Sequence, residues 1–158
     1  PALRRYATAL LRHRDEADDL VHDCLARALD KLHTRREEAD VRAWLFTIMH
    51  NLFISQMRRR RSRPATEPLD DSHENIAGLR PTQEDGLFWR DLQRGLQLLP
   101  EDQRSVILLV SVEDLSYAEA AQVLGVPIGT VMSRLARGRE RLRQHTGQAV
   151  RPSLRRVK

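Results

Sequence analysis

The sequence of 158 residues is short of cysteine and of aromatic side chains, and both shortages limit what the protein can be. Cys24 is the single cysteine, so no disulfide can form within the chain, as expected for a protein of the reducing cytoplasm. Its place on the apolar face of a predicted helix indicates a small core residue rather than a redox centre or a metal ligand. Aromatic residues make up only 4% of the chain, so leucine, valine, isoleucine and alanine must build the core.

Long apolar runs and signatures of catalysis are also missing. The longest apolar run, residues 106–110, is far too short to span a bilayer, and no signal-peptide pattern begins the chain. We therefore expect a cytoplasmic protein with no membrane contact of its own. The chain begins at Pro1, so a few residues of the natural start are expected to be missing. Without a P-loop, a nucleophile motif or a metal-ligand cluster, we expect no enzyme, no cofactor and no metal.

Charge is positive overall and strongly segregated along the chain. Lys and Arg number 27 against 22 Asp and Glu, a formal net charge of +5 that favours a polyanionic partner such as nucleic acid. Arginines crowd residues 58–63 and 134–143, and the acidic residues cluster early, at Asp15, Glu16, Asp18, Asp19 and Asp23. An acidic patch does not help DNA binding, so this cluster predicts a protein partner, with a solvated helix face as the alternative.

Residues 116–143 have the pattern of two short helices around a tight turn. Ser116 and Glu119 are spaced as a capping box, which predicts the start of the first helix. Gly125 suits a helix end that needs positive φ, and Pro127 prevents the first helix from continuing. The second helix, opening at residues 129–130, is rich in arginine. This pattern predicts a helix-turn-helix whose second helix fits the major groove of DNA.

The outer face of that second helix carries the candidate contacts to DNA. Ser133, Arg134 and Arg137 are the best candidates to contact bases or phosphates, while Val131 and Leu135 mark the inner face. Gly138 departs from good helix design and is expected to cost about 0.5–1 kcal/mol relative to alanine.

The rest of the chain divides into segments by composition and period. Residues 1–61 are predicted to form three helices, and residues 84–145 a second helical unit that contains the helix-turn-helix. Residues 62–83 hold three prolines and no sustained period, which is typical of a flexible linker. Residues 146–158 are predicted to be a disordered basic tail. The fold class predicted is all-α, in two small helical domains.

The helical period of residues 1–61 predicts which side chains are buried. In the helix over residues 16–32 they are Leu20, Val21, Cys24, Leu25, Ala28, Leu29 and Leu32. In the helix over residues 40–61 they are Val41, Trp44, Leu45, Ile48, Met49 and Leu52. In the second unit, residues 101–113 form a helix that is apolar nearly all round and is expected at the centre.

A polar strip follows the apolar face of the third helix. Asn51, Ser55 and Arg58 are four and seven residues apart, so they share one side of the helix. Asparagine can read a base edge with its donor and its acceptor, and arginine neutralises phosphates. A solvated helix end, with arginines complementing the helix dipole, is an equally weighted alternative. Trp44 and Phe53 are candidates to stack on unpaired bases. The position of Trp44 on the apolar stripe favours the core, and Phe53, at the edge of that stripe, fits either place.

The order of these segments resembles the extracytoplasmic-function sigma factors of bacterial RNA polymerase. Residues 15–25 (DEADDLVHDCL) are similar to the polymerase-docking helix of region 2, and residues 43–61 (AWLFTIMHNLFISQMRRRR) to the helix that reads and melts the minus-ten element. Residues 98–104 (LLPEDQR) are similar to the start of region 4, and residues 115–142 to its helix-turn-helix. Four such segments in one order, around one proline-rich stretch, make the resemblance strong.

The resemblance implies a role for each matching position. The β′ clamp of core RNA polymerase would be met by Asp18, Asp19 and Asp23. Minus-ten DNA would be met by Asn51, Ser55, Arg58, Arg59, Arg60 and Arg61, with Asn51 holding a flipped base. The minus-thirty-five element would be met by Thr130, Ser133, Arg134, Arg137 and Arg141.

The resemblance also implies partners: core RNA polymerase through the β′ clamp and the β flap, promoter DNA, and an anti-sigma factor. Two positions depart from the family pattern. Met132 stands where lysine or arginine is common, and His22 stands where glutamine is common. The expected function is therefore an alternative sigma factor that directs polymerase to specific promoters and assists DNA melting.

Two other functions stay open on the sequence. A stand-alone helix-turn-helix regulator would bind duplex operators without polymerase, usually as a dimer. A protein-binding adaptor, with its arginines serving only solvation, would associate with DNA with little sensitivity to salt.

Overall fold

A computed structural model describes residues 1–35, 40–62 and 83–146. Within these ranges the regular structure is entirely helical, which confirms the all-α fold class. The predicted linker at residues 62–83 and the predicted tail at residues 146–158 lie almost wholly outside the described residues.

The chain divides into two compact units, unit 1 over residues 1–74 and unit 2 over residues 75–158. Unit 1 contains helices α1 (Ala2–Leu10), α2 (Arg14–Asp30) and α3 (Val41–Ser62), with a short 3₁₀ turn, Leu32–Thr34, after α2. Unit 2 contains α4 (Gln83–Leu98), α5 (Glu101–Ile107), a π-helical turn (Leu108–Val112), α6 (Tyr117–Leu124) and α7 (Ile128–Thr146).

Unit 1 is a three-helix bundle in which α2 packs against both α1 and α3. Its centre is a pair of rings, Tyr6 and Phe46, whose centroids lie 5.3 Å apart in an edge-to-face arrangement. Leu20, Met49 and Phe53 are fully buried beside them. Two of the chain's few aromatic residues, Phe46 and Phe53, therefore supply much of the volume of this small core.

The buried face predicted for α2 is partly wrong. Leu25, Leu29 and Leu32 were expected in the core, yet they are 44%, 72% and 56% exposed. The buried stripe runs instead through smaller residues, namely Ala17, Leu20, Cys24 and Ala28. Small side chains let the neighbouring helices approach closely, and α1 and α3 cover only this narrow stripe of α2.

The buried face predicted for α3 is also displaced. Val41 is exposed, and Trp44, Leu45 and Leu52 are only half-buried. The core side is formed by Ala43, Phe46, Ile48, Met49, His50 and Phe53. The rings of Phe46 and Phe53 fill the side that faces the core, so Trp44, Leu45 and Leu52 lie on the flanks of the buried face.

Unit 2 is built around the apolar segment that starts with α5. Val106, Leu108 and Leu109 are almost completely buried, which confirms the expectation that this stretch lies at the centre. The helix does not continue to residue 113 in α form, because its last turn widens to a π-helical turn closed by Glu113 N–H donating to Leu108 O at 2.9 Å.

Gly138 allows α5 and α7 to pack closely. A Cβ at this position would lie 2.8 Å from Ile107 Cδ1 and 3.3 Å from Gln103 Cβ. Gly138 has a low helix propensity, but a larger residue here would prevent the close packing of α5 and α7. From the sequence alone only the propensity cost could be predicted.

Candidate nucleic-acid interface

The helix-turn-helix of unit 2 has the predicted caps. Ser116 Oγ accepts from the Glu119 backbone N–H at 3.2 Å, and Glu119 Oε2 accepts from the Ser116 N–H at 2.7 Å. Gly125 ends α6 in the left-handed region at φ 63°. Helix α7 begins at Ile128, one residue earlier than predicted, because the Pro127 carbonyl already accepts from the Thr130 N–H at 2.9 Å. These local bonds set the angle at which α7 leaves the turn.

One side of α7 packs into the core of unit 2, and the opposite side is accessible to a binding partner. Val131, Leu135, Gly138 and Leu142 are buried, which confirms the predicted inner face. On the opposite side the predicted DNA contacts are graded by exposure: Arg137 and Arg141 are exposed, whereas Thr130, Ser133 and Arg134 are half-buried.

Arg134 differs from the other arginines predicted to contact DNA. Its Nε lies 3.3 Å from Asp102 Oδ2 at the start of α5, and only 28% of its side chain is exposed. Arg143 is also paired, with Glu140 one turn earlier on the same helix. Arg137 and Arg141 are therefore the arginines of α7 best placed to reach a phosphate backbone.

In unit 1 the predicted minus-ten strip lies on the surface of α3. Asn51 and Ser55 are both exposed, and the Ser55 hydroxyl donates to the Asn51 backbone carbonyl at 2.9 Å, a bond that does not use the Asn51 side-chain amide. Residues 58–61 are four exposed arginines. Arg60 is engaged, since its Nη2 lies 2.5 Å from Glu16 Oε1 near the start of α2.

A shallow cavity of about 110 Å³ lies beside this strip, between α2 and α3. It is lined by Arg27, Lys31, Ile48, Asn51, Leu52 and Ser55. Sequence reasoning missed Arg27 and Lys31. Their four-residue spacing near the end of α2 was a signal, but only the antiparallel packing of α2 on α3 shows that they face Asn51.

The residues of the acidic cluster differ in their contacts and exposure. Asp18 Oδ1 lies 2.9 Å from Arg4 Nε, while Asp19 and Asp23 are exposed. Asp18 shares its helix face with Leu25 and Leu29, which lie seven and eleven residues further along. Helix α2 therefore presents a surface that is acidic at its start and apolar towards its end.

The predicted stacking role of Phe53 is contradicted, because its ring is completely buried in the core of unit 1. A buried ring cannot offer its face to a base. Trp44, predicted in the core, is only half-buried.

The described residues contain no cluster of three or more His, Cys, Asp or Glu able to hold a metal ion. Within the described ranges, none of the helices is both long and apolar enough to cross a membrane.

Both units match known protein families. The family model "Sigma-70, region 4" matches residues 89–142, and the model "Sigma2 domain of PhyR" matches residues 1–50. The RNA polymerase sigma factor EcfG of Rhodopseudomonas palustris is 38% identical over 142 residues, covering 90% of this chain and 77% of that protein. SigM of Mycobacterium tuberculosis is 34% identical over 145 residues, covering 92% of this chain and 71% of SigM.

Two solved structures have the same fold. The sigma factor RpoE of Bartonella quintana, in complex with the anti-sigma factor NepR, superposes with a TM-score of 0.75 at 36% identity, covering 93% of this chain and 91% of RpoE. CnrH, in complex with the cytosolic domain of CnrY, superposes with a TM-score of 0.64 at 27% identity, covering 90% of this chain and 79% of CnrH.

A helix-turn-helix unit that matches sigma region 4, preceded in the chain by a unit that matches a sigma region 2 domain, defines a sigma factor. Within that class the chain belongs to the extracytoplasmic-function sigma factors of bacterial RNA polymerase. It is thus a DNA-binding transcription factor of the alternative sigma type.

Proposed function

We propose that unit 1 docks this sigma factor on core RNA polymerase and captures unpaired minus-ten DNA, while unit 2 binds the duplex at the minus-thirty-five element. The observation that carries this proposal is the presence of two separate basic helices on one chain, α3 and α7, each held by its own core. In this proposal residues 1–61 and 84–145 are the two functional domains, and residues 62–83 connect them.

The polymerase contact is proposed to lie on α2. Asp19 and Asp23 are exposed carboxylates, and Leu25 and Leu29 are exposed apolar side chains on the same helix. Exposed carboxylates and leucines together fit a partner that presents both basic and apolar groups. We propose that this partner is the clamp of the β′ subunit. Asp18 joins this surface only if it exchanges its bond to Arg4.

The minus-ten contact is proposed to lie on α3 and in the cavity beside it. The side-chain amide of Asn51 can hold a base edge, and Arg27 and Lys31 supply positive charge on the other wall of the cavity. Ser55 and Arg58 continue along the strand, with the three arginines of residues 59–61 beyond them. Unpaired DNA bound in this way would have its phosphates neutralised while one base is held.

The minus-thirty-five contact is proposed to lie on the outer side of α7. Arg137 and Arg141 meet phosphates, and Thr130 and Ser133 lie on the half-buried flank nearer the bases. Arg134 contributes after it leaves Asp102 or while it bridges Asp102 and DNA.

An anti-sigma factor is proposed as the regulator of this chain. The RpoE structure is a complex with the anti-sigma factor NepR, and the CnrH structure is a complex with the cytosolic domain of CnrY. Leu25, Leu29 and Leu32 form an exposed apolar stripe that such a partner could cover in place of polymerase.

The proposal is tested by run-off transcription with core polymerase, with and without this chain, on a promoter selected from a randomised pool. We expect initiation from one site only when the chain is present, and weak binding of the free chain to the same duplex. Tight operator binding without polymerase would instead indicate a stand-alone regulator. Initiation that is unchanged by the chain at every selected site would rule the proposal out.

A further inference from the structure

The exposed surface of α7 differs between two flanks of the helix. Its first turns carry two large exposed apolar side chains one turn apart, Ile128 at 46% and Met132 at 49% exposure. Gly129 lies between them, and a Cβ built there would meet nothing within 4 Å. The exposed arginines Arg137 and Arg141 follow five and nine residues after Met132, which places them about 140° and 180° around the helix axis from it. One flank of the first turns is therefore apolar, and the opposite flank of the later turns is basic.

This arrangement is unusual for a helix that only has to neutralise phosphates. In a helix-turn-helix the first residues of the second helix contact base edges in the major groove. The apolar group that a base pair presents in that groove is the C5-methyl of thymine. Water-exposed Ile128 and Met132 would gain free energy by covering such methyl groups, and Gly129 adds no side chain that would keep the backbone away from the base edges.

The next arginine in the sequence does not compete for this place. Arg134, two residues after Met132, points to the other side of the helix and pairs with Asp102, with its Nε 3.3 Å from Oδ2. Methionine is also suited to the contact, because its unbranched and polarisable side chain adapts to the shape of what it covers.

We propose that Met132, with Ile128 beside it, recognises thymine methyl groups in the minus-thirty-five duplex. Arg137 and Arg141 hold the flanking phosphates and carry no preference for sequence. This inference rests on the proposed function of unit 2 and adds the chemical group by which unit 2 distinguishes one duplex from another.

The test replaces single thymines by deoxyuridine, which removes the C5-methyl and nothing else. The duplex is a promoter selected from a randomised pool by the holoenzyme formed from this chain and core polymerase. We expect deoxyuridine at one or two upstream positions to weaken holoenzyme binding about fourfold, the value of one buried methyl group. In the Met132→Ala holoenzyme, thymine and deoxyuridine should bind equally at the position that Met132 covers.

Two variants serve as controls for this experiment. Val112→Ala shortens an exposed apolar residue that lies outside α7 and should keep the full sensitivity to deoxyuridine. Arg137→Ala should weaken binding to all duplexes, reduce the salt slope by about one, and keep the preference for thymine. Melting curves of Met132→Ala should match those of the parent, because the side chain is half exposed.

The possible failures are distinct. If the holoenzyme selects no promoter, both this inference and the proposed function are overturned. A selected promoter at which deoxyuridine has no effect, or at which Met132→Ala keeps the fourfold effect, overturns this inference alone. Loss of a protein complex in Met132→Ala with unchanged thymine preference would likewise overturn it and assign the apolar flank to a protein partner.

Discussion

Arg104 shows how a basic residue in a DNA-binding protein can serve the fold. Its side chain is 8% exposed, and its guanidinium donates to three carbonyls near the end of α4: Leu96 O at 2.8 Å, Gln97 O at 3.1 Å and Leu99 O at 2.9 Å. The last carbonyls of a helix lack an α-helical partner; of these three, Leu96 O also accepts from the Leu99 N–H at 3.2 Å. The guanidinium of Arg104 therefore caps the end of α4 inside unit 2 and does not face a DNA partner.

We expect Arg104→Ala to lower the free energy of unfolding of unit 2 by about 3 kcal/mol, because buried carbonyls lose charged donors. Native-state hydrogen exchange of the amides of α5 and α7 measures this for unit 2 by itself. Arg141→Ala, at an exposed position, should change the same quantity by less than about 0.5 kcal/mol. Equal effects of the two variants would contradict the capping role.

Cys24 is fully buried on α2, and burial raises the pKa of its thiol from 9.0 to about 11. We therefore expect iodoacetamide to label the folded protein at pH 8 roughly a hundredfold more slowly than the urea-unfolded chain, since the thiolate is the reactive form. Labelling at equal rates would contradict this environment.

The same shift predicts a dependence of stability on pH. Because the folded pKa lies above the unfolded one, the contribution of Cys24 to stability is complete below about pH 9 and is lost as pH rises towards 11. The difference in unfolding free energy between the parent and Cys24→Ala should shrink over that interval, as measured by urea titrations at each pH.

At the scale of helices, the close packing of α5 and α7 predicts that Gly138→Ala is destabilising, whereas helix propensity alone predicts that it is stabilising. Alanine at position 138 would gain about 1 kcal/mol as a helix former but would collide with Ile107 and press on Gln103. We expect Gly138→Ala to be destabilising by about 1 kcal/mol in thermal or urea unfolding.

The collision can be removed to check its cause. Ile107→Val deletes the Cδ1 atom that lies 2.8 Å from the added Cβ. Gly138→Ala should therefore be less costly in the Ile107→Val background than alone, a coupling that a double-mutant cycle measures. Strict additivity would show that Ile107 is not the obstacle.

The middle and the end of α2 provide matched variants for the proposed polymerase contact. Asp23 and Asp30 are both exposed carboxylates on α2, but only Asp23 belongs to the acidic cluster. Asp23→Asn should weaken binding to core polymerase by up to about fivefold, the range of one exposed ion pair, with a larger effect at low salt.

Asp30→Asn removes the same charge from the same helix and should leave polymerase affinity unchanged. Fluorescence titration of labelled sigma factor with core polymerase gives both values. Equal losses in the two variants would mean that net charge, and not the docking surface, sets the affinity.

At the scale of the whole molecule, the proposed division between two DNA-binding units predicts that a pre-opened template compensates for a substitution in unit 1 but not for one in unit 2. If Asn51 acts on unpaired bases, a template with a mismatched, already open minus-ten region should restore most initiation to Asn51→Ala at saturating holoenzyme. Arg137→Ala should gain nothing from that template relative to the parent, because its contact lies in duplex DNA. Run-off transcription on paired and mismatched templates measures both, and equal rescue would contradict the division of work.

Much of the architecture follows from the sequence because it depends on contacts within a few residues. The capping box of Ser116 and Glu119 and the left-handed end at Gly125 involve residues at most three or four apart. The all-α class and the inner face of α7 follow from a helical period that is strong and local.

The faces of the helices in unit 1 could not be predicted in the same way. Whether Leu29 or Phe53 is buried depends on which neighbours cover the helix: periodicity placed Leu29 in the core, wrongly, and left Phe53 undecided. Likewise, only packing shows that Arg134 is held by Asp102 and that Arg27 and Lys31 share a cavity with Asn51. These pairs are distant in sequence, and no period relates them.

By itself the sequence determined the helices, their caps, the basic character of α3 and α7 and the acidic start of α2, since backbone bonding and formal charge are local properties. Tertiary structure alone decided which leucines stay exposed, which arginines are already paired, and why position 138 is glycine. Each of those outcomes depends on what a neighbouring helix covers, and coverage is decided by close packing between segments remote along the chain.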